Sequence, residues 1–278
     1  MKSIAGNSLP LALAATVCIA LAPMARSQQS SGPNLNVAGN EMQSRMELSN
    51  MDAMGDRDEI AAFQAFSKEN DAAKKIQLGN KFLQKYPKSQ MAERVDYGIM
   101  NVYRDHGDWK NTYLWGDNAL ALKPDDVDVL ATLSWTIPHV YNPNDSDADQ
   151  LLDKAEKYAK HALDVLATMV RPAGLTDSQF AAAKARRTYE AHSALGLVYF
   201  RRNDYDASAK ELRLSTEGNP VQDQTDLYVL GIDFQNLNRF QDAAQAFHGC
   251  SQIAGALEDS CRQNTAAAEA QAAKTNSH

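Results

Sequence analysis

The side chains whose type and spacing come nearest to a ligand set are three aspartates at alternate positions, Asp145, Asp147 and Asp149. Counted from Asp145 against the calcium-loop pattern, Leu152 falls at the eighth place and Glu156 at the twelfth, as that pattern requires. The sixth place, however, holds Gln150 where the sharp turn needs glycine. A helix starting near Asp149 would wind up the segment that should wrap the ion. These carboxylates are therefore expected to cap that helix and to favour its positive end. The six histidines are scattered, with no H-E-x-x-H and no paired spacing suited to zinc. A nucleophile elbow, a P-loop and a G-x-G-x-x-G turn are all missing from the sequence. No catalytic residue, metal or cofactor is expected, and the chain is not read as an enzyme.

What must position any binding residues is a set of helices. Nine prolines and fourteen glycines in 278 residues leave room for long ones, and no strand alternation persists over a useful length. Two segments, 93–126 and 224–253, carry one pattern. Numbered from Glu93, Ile99 falls at place 7, Tyr103 at 11, Gly107-Asp108-Trp109 at 15–17, Ala119 at 27 and Pro124 at 32. Numbered from Gln224, Leu230-Gly231 fall at 7–8, Phe234 at 11, Phe240 at 17, Ala243 at 20, Phe247 at 24 and Ile253 at 30. This pattern of about 34 residues resembles the tetratricopeptide (TPR) repeat, a helix–turn–helix unit with small residues where its helices meet.

The resemblance implies an all-α, right-handed TPR solenoid of about five repeats, some degenerate, over residues 56–255, with a capping helix and tail over 256–278. Ile60, Phe63 and Phe66, then Ile76, Gly79 and Phe82, form a degenerate first pair, with Asn70-Asp71 capping its second helix and Pro87 stopping it. The junction Phe82–Ala92, with Tyr86-Pro87 and Ser89, is similar to the F-x-x-x-Y-P-x-S-x-x-A signature of exported TPR families that include outer-membrane-assembly lipoproteins. The third repeat is interrupted by Pro138 and Asn142-Pro143, an insertion over 138–149. Asp177 is expected to cap a long helix running to Arg201. Asp125-Asp126 and the charges from Lys154 to Lys160 are read as solvated helix faces.

The N-terminus reads as a secretory signal: Lys2, an apolar run around Leu9–Leu21, and the small-x-small site Ala25-Arg26-Ser27. That run is shorter than the roughly 20 residues a membrane span needs. Ala15-Thr16-Val17 before Cys18 lacks the Leu and the small residue of a lipidation site. Cleavage after residue 27, a flexible linker over 28–55, and a soluble periplasmic or extracellular protein without an integral membrane segment are expected. Cleavage would make the formal charge of −7 more negative by two, since it removes Lys2 and Arg26 and no acidic residue. Such a balance offers nothing to displace counterions from phosphate, so nucleic acid is not an expected partner. Cys250 and Cys261 remain as an even pair. In an exported chain they read as a disulfide, with two small buried thiols as the alternative.

The resemblance also assigns a groove. In TPR folds the first helix of each pair lines the concave side, and places 2, 5, 9, 12 and 13 face inward. Here those places hold Arg94, Tyr97, Asn101, Arg104 and Asp105, then Trp135 and His139. Further along they hold Glu190, Leu197, Phe200 and Arg201, then Tyr228, Ile232, Gln235 and Asn236. Rings flanked by arginine and amide groups suit an extended peptide or a partner helix. The carboxylate clamp of chaperone-binding relatives is matched only by Asn101. The expected function is an exported adaptor or assembly factor for a protein or peptide partner. The alternative is a carrier of a small hydrophobic ligand or lipid, using a gap near the 138–149 insertion around Trp135–Tyr141.

Overall fold

The computed structural model describes residues 57–172 and 174–275; the expected signal peptide and linker lie outside the described residues. Those residues form eleven helices and no strand. They pair as α1 (Arg57–Lys68) with α2 (Ala72–Lys85), α3 (Ala92–Asp105) with α4 (Trp109–Leu122), and α5 (Val127–His139) with α6 (Ala148–Thr168). Then come α7 (Asp177–Arg201) with α8 (Tyr205–Thr216), α9 (Gln224–Asn236) with α10 (Phe240–Ser251), and α11 (Glu258–Thr275) alone. The first helices also touch across pairs, α1 to α3, α5 to α7 and α7 to α9, while the second helices meet chiefly their own partner and the next first helix. Crowding the first helices puts them on the inner side of a right-handed TPR-type solenoid. α11 closes the end against α10.

The turns show why one sequence pattern yields one geometry. Place 15 of three repeats is Gly107, Asn203 and Asn238, with φ of 72°, 60° and 56°. Glycine and asparagine enter this left-handed region at least cost. In each turn the next amide reaches back to a helix carbonyl: Asp108 to Tyr103 at 3.0 Å, Asp204 to Tyr199 at 3.0 Å, Arg239 to Phe234 at 2.8 Å. Asp108 and Asp204 then cap the second helices through Asn111 N and Ala207 N. Place 8 sets the closeness of the pair. A Cβ on Gly196 would lie 2.5 Å from Leu212, and one on Gly231 would lie 2.5 Å from Phe247.

The first pair closes on an aromatic group at its junction. Phe82 is buried, with its ring 6.0 Å from Phe63 and 5.2 Å from Tyr86. Ser89 Oγ accepts from Met91 N where α3 begins. The insertion departs more from expectation. Pro138 sits inside the last turn of α5, while α6 begins at Ala148, next to the expected Asp149. Asp147 occupies the cap position without a side-chain cap bond, so the expected aspartate cap does not form there. Asn142 organises the segment instead, donating to Asp145 Oδ1 at 2.8 Å and accepting from Asn144 N. The cap of α7 is Thr176 rather than Asp177, because Thr176 and Gln179 exchange the two bonds of a capping box. α6 and α7 span 21 and 25 residues, against 12–14 for the other paired helices. Their extra turns bury Leu166, Leu175 and Ala183 against Val127, with Met169 and Phe180 alongside.

Candidate functional site

The inner helices α3, α5, α7 and α9 carry the residues singled out for the groove, and all but Leu197 and His139 keep some exposure. Leu197 is a correction. Only 1% exposed, it packs with Ala209, Leu212, Val229 and Leu230, because α9 crosses α7 at that level. On α3, Arg94, Tyr97, Asn101 and Arg104 lie half-buried along one side. Asn101 Nδ2 donates to the Tyr97 carbonyl at 2.9 Å, and Arg104 donates to Asp105 Oδ1 at 3.0 and 3.2 Å. These bonds fix the Asn101 and Arg104 side chains locally.

Trp135 and His139 stack with centroids 3.8 Å apart on the α5 face. Across from them, the Arg201 guanidinium lies 5.3 Å from the Tyr141 ring and 5.9 Å from Phe200, and it reaches the Pro138 carbonyl at 3.4 Å. Tyr141, Phe200 and Arg201 therefore form one aromatic–cationic cluster joining α7 and the insertion, with the Pro138 carbonyl at the end of α5 bonded to it. Tyr141 also packs on Ile137, Leu152, Ala155 and Val198. Further along, Tyr228 packs on Phe247 at 5.7 Å and accepts from Asn264 Nδ2 at 3.4 Å, which ties it to α11. Ile232 packs in the same cluster, and Gln235 remains half-buried beside it.

Beneath this surface lies a belt of buried ionisable groups. Arg187 on α7 donates from Nε to Asp128 Oδ1 at 2.6 Å and from Nη1 to Glu190 Oε2 at 2.5 Å. Burial opposes the guanidinium charge, but the Glu190 and Asp128 carboxylates outweigh it and hold Arg187 protonated. Asp126 is not a solvated face residue: 2% exposed, it caps α5 through Asp128 N and Val129 N and accepts from Lys123 Nζ at 2.8 Å. Lys154 likewise joins α6 to α4, bonding Asp117 at 2.6 Å. Burial, and then the neighbouring Asp126, push the Glu93 carboxyl up. Burial pushes Asp96 to about 6 and Asp233, held by Ser208 at 2.6 Å, to about 8.

These groups follow no motif, and the links from Arg187 to Asp128, Lys154 to Asp117 and Ser208 to Asp233 join residues 59, 37 and 25 apart. The available signal was an acidic residue within an otherwise apolar stretch of a first helix, as at Asp128 between Val127 and Val129 or Asp233 between Ile232 and Phe234. Chemically, the belt ties neighbouring helices through charge-assisted hydrogen bonds, and the exposed rim offers rings, guanidinium groups and amides.

No family model and no curated protein matches the chain. Among solved structures it is similar to PilW, described as a widely conserved type IV pilus biogenesis factor, with a TM-score of 0.50 and 14% identity. The match covers 81% of this chain and 94% of that one. At such identity the likeness concerns the fold, a stack of helical pairs.

Proposed function

We propose that the chain is a binding scaffold, an adaptor or assembly factor that takes a protein or peptide partner in its inner groove. The observation that carries this reading is the cluster of Tyr141, Phe200 and Arg201, two rings and a guanidinium held partly exposed where α7 meets the insertion, with the half-buried Trp135 on α5. Such side chains supply large contact area at little entropic cost and are enriched where binding energy concentrates. Tyr97 and Asn101 at one end, with Tyr228, Ile232 and Gln235 at the other, extend the surface along the solenoid, as an extended peptide or helix requires. The likeness of fold to a pilus biogenesis factor agrees with the assembly-factor form of this reading and names no partner. Export through a signal cleaved after residue 27 belongs to the same proposal, as does the absence of an integral membrane segment. Among the described residues no helix is long and apolar enough to cross a membrane.

Site-specific photo-crosslinking tests the groove. A photoreactive residue at Asn101 or Gln235, on the inner helices, is expected to trap a discrete partner in the producing cell. The same group at Leu114 or Leu122, which are exposed on α4, is expected to trap none. Adducts from α4 alone would place the partner on the outer face and overturn the groove. Sequencing the mature protein checks export, with Gln28 expected as its first residue.

A further inference from the structure

We propose that His139, Asp223 and Asp226 form a binding site for a divalent transition metal of the zinc class. One ligand atom from each of these side chains lies within 4.8 Å of the others. They come from the end of α5, the turn before α9 and the first turn of α9, so no sequence spacing announces them. Zinc bound at its usual distances sets nitrogen and oxygen ligands about 3.4 Å apart. Small side-chain adjustments close that gap.

The surroundings of each ligand suit the role. His139 is only 4% exposed, and its Nδ1 lies 2.7 Å from the Trp135 carbonyl. A carbonyl can only accept, so Nδ1 carries the hydrogen and Nε2 presents its lone pair. This tautomer, fixed by a backbone carbonyl, is the usual one for a metal-binding imidazole. Nε2 is buried and has no hydrogen-bond partner, which is costly for a polar atom unless something else occupies that lone pair. Asp226 is 2% exposed; its Oδ1 accepts from Ser193 Oγ and its Oδ2 from Ser215 Oγ, both at 2.8 Å. Each oxygen keeps a second lone pair, and the two hydroxyls orient the carboxylate as an outer shell would. Asp223 caps α9 through Thr225 N at 2.7 Å and retains further acceptor capacity.

Three protein ligands leave a tetrahedral metal one position for water or for a partner's side chain. The mixed nitrogen–oxygen set favours zinc-like ions over calcium, which takes six to eight oxygens. Arg201 stands against a cation here, since its charge acts on His139. Its removal should therefore tighten the metal, whereas loss of a ligand should release it.

Equilibrium dialysis and calorimetry of the full chain with zinc chloride, after chelator treatment, test the site. One zinc per chain is expected, with a raised melting temperature that chelator reverses and calcium does not reproduce. Asp223→Asn keeps a capping oxygen and should weaken binding at least tenfold, while Arg201→Gln should strengthen it several-fold. Cobalt in place of zinc should give visible bands of a four- or five-coordinate nitrogen–oxygen site in wild type and lose them in Asp223→Asn. If His139→Gln fails to fold, those two variants and the cobalt spectrum still decide. No stoichiometric zinc in wild type, or equal affinity in Asp223→Asn, would overturn the proposal and leave the cluster a purely structural network.

Discussion

At the scale of single residues, the buried charges carry the sharpest consequences. Arg187 is 6% exposed and Asp128 fully buried, so neither can regain water if its partner is lost. Arg187→Met is expected to cost about 3–5 kcal/mol in denaturant unfolding, because it removes the guanidinium that Asp128 and Glu190 both bond. Adding Asp128→Leu should recover a large part of that loss, because well-packed apolar residues often replace a buried pair without cost. A single variant within about 1 kcal/mol of wild type would show that the pair is not energetically coupled to folding. Asp233 gives a pH signature. Its folded-state pKa, about 8, is raised from an ordinary 3.8 by burial, and the Ser208 hydroxyl only partly opposes this. The folded state thus holds a proton that the unfolded state releases. The stabilising contribution is complete below about pH 3.8 and is lost as pH rises through about 8. Melting temperature followed from pH 4 to 9 should therefore fall less steeply in Asp233→Asn than in wild type. Parallel curves would contradict a protonated Asp233.

At the scale of elements, the last hairpin is the clearest case. Gln224 bonds Ile253 O at 2.6 Å and Leu257 N at 3.2 Å, so its amide clamps both sides of the turn between α10 and α11. Cys250 and Cys261 face each other there as a disulfide, with Cα atoms 5.8 Å apart and both side chains buried beside Leu227. Closing so short a loop should stabilise by up to about 3 kcal/mol. Cys250→Ala with Cys261→Ala is expected to lower the denaturation midpoint and speed amide exchange in α11. Two alkylatable thiols in exported, unreduced protein would show that the bridge does not form. Most helices start and stop where caps, prolines and place-15 residues direct; the exceptions are the capping box at Thr176, the turn at Asn142, Pro138 carried inside α5, and α3, α6 and α10, which start without a side-chain cap. Pairing and repeat register were therefore legible from local spacing. The links Arg187–Asp128 and Ser193–Asp226 were not, because they join residues 59 and 33 apart, and apolar periodicity says nothing about which buried acid meets which donor. The groove was legible only as a list of places. Whether a residue on it is open depends on the next helix, which is why Leu197 is covered while Phe200, three residues on, is not.

At the scale of the whole molecule, a solenoid lacks a single centre. Its apolar residues divide into successive clusters, from Phe66, Phe82 and Ile99 at one end to Leu197, Leu230 and Phe247 at the other. Each cluster is shared only by neighbouring pairs, so stability is expected to be close to a sum of local terms. α11 bears on this directly. Its mean character is polar and only Cys261 and Ala268 are buried, yet it packs extensively on α10 and covers Ala243, Ala244 and Phe247 from the open end. Ending the chain after Gly255 would remove this cover and the disulfide together. Amide exchange in the shortened protein should rise in α9 and α10, fall off through α7 and α8, and stay unchanged in α1 to α4. The bared end of α10 should also promote self-association, visible as a concentration-dependent mass in light scattering. Uniformly faster exchange from α1 onward would instead show one cooperative unit. The long α6 and α7, with the insertion between them, would then have to transmit the loss across the whole array.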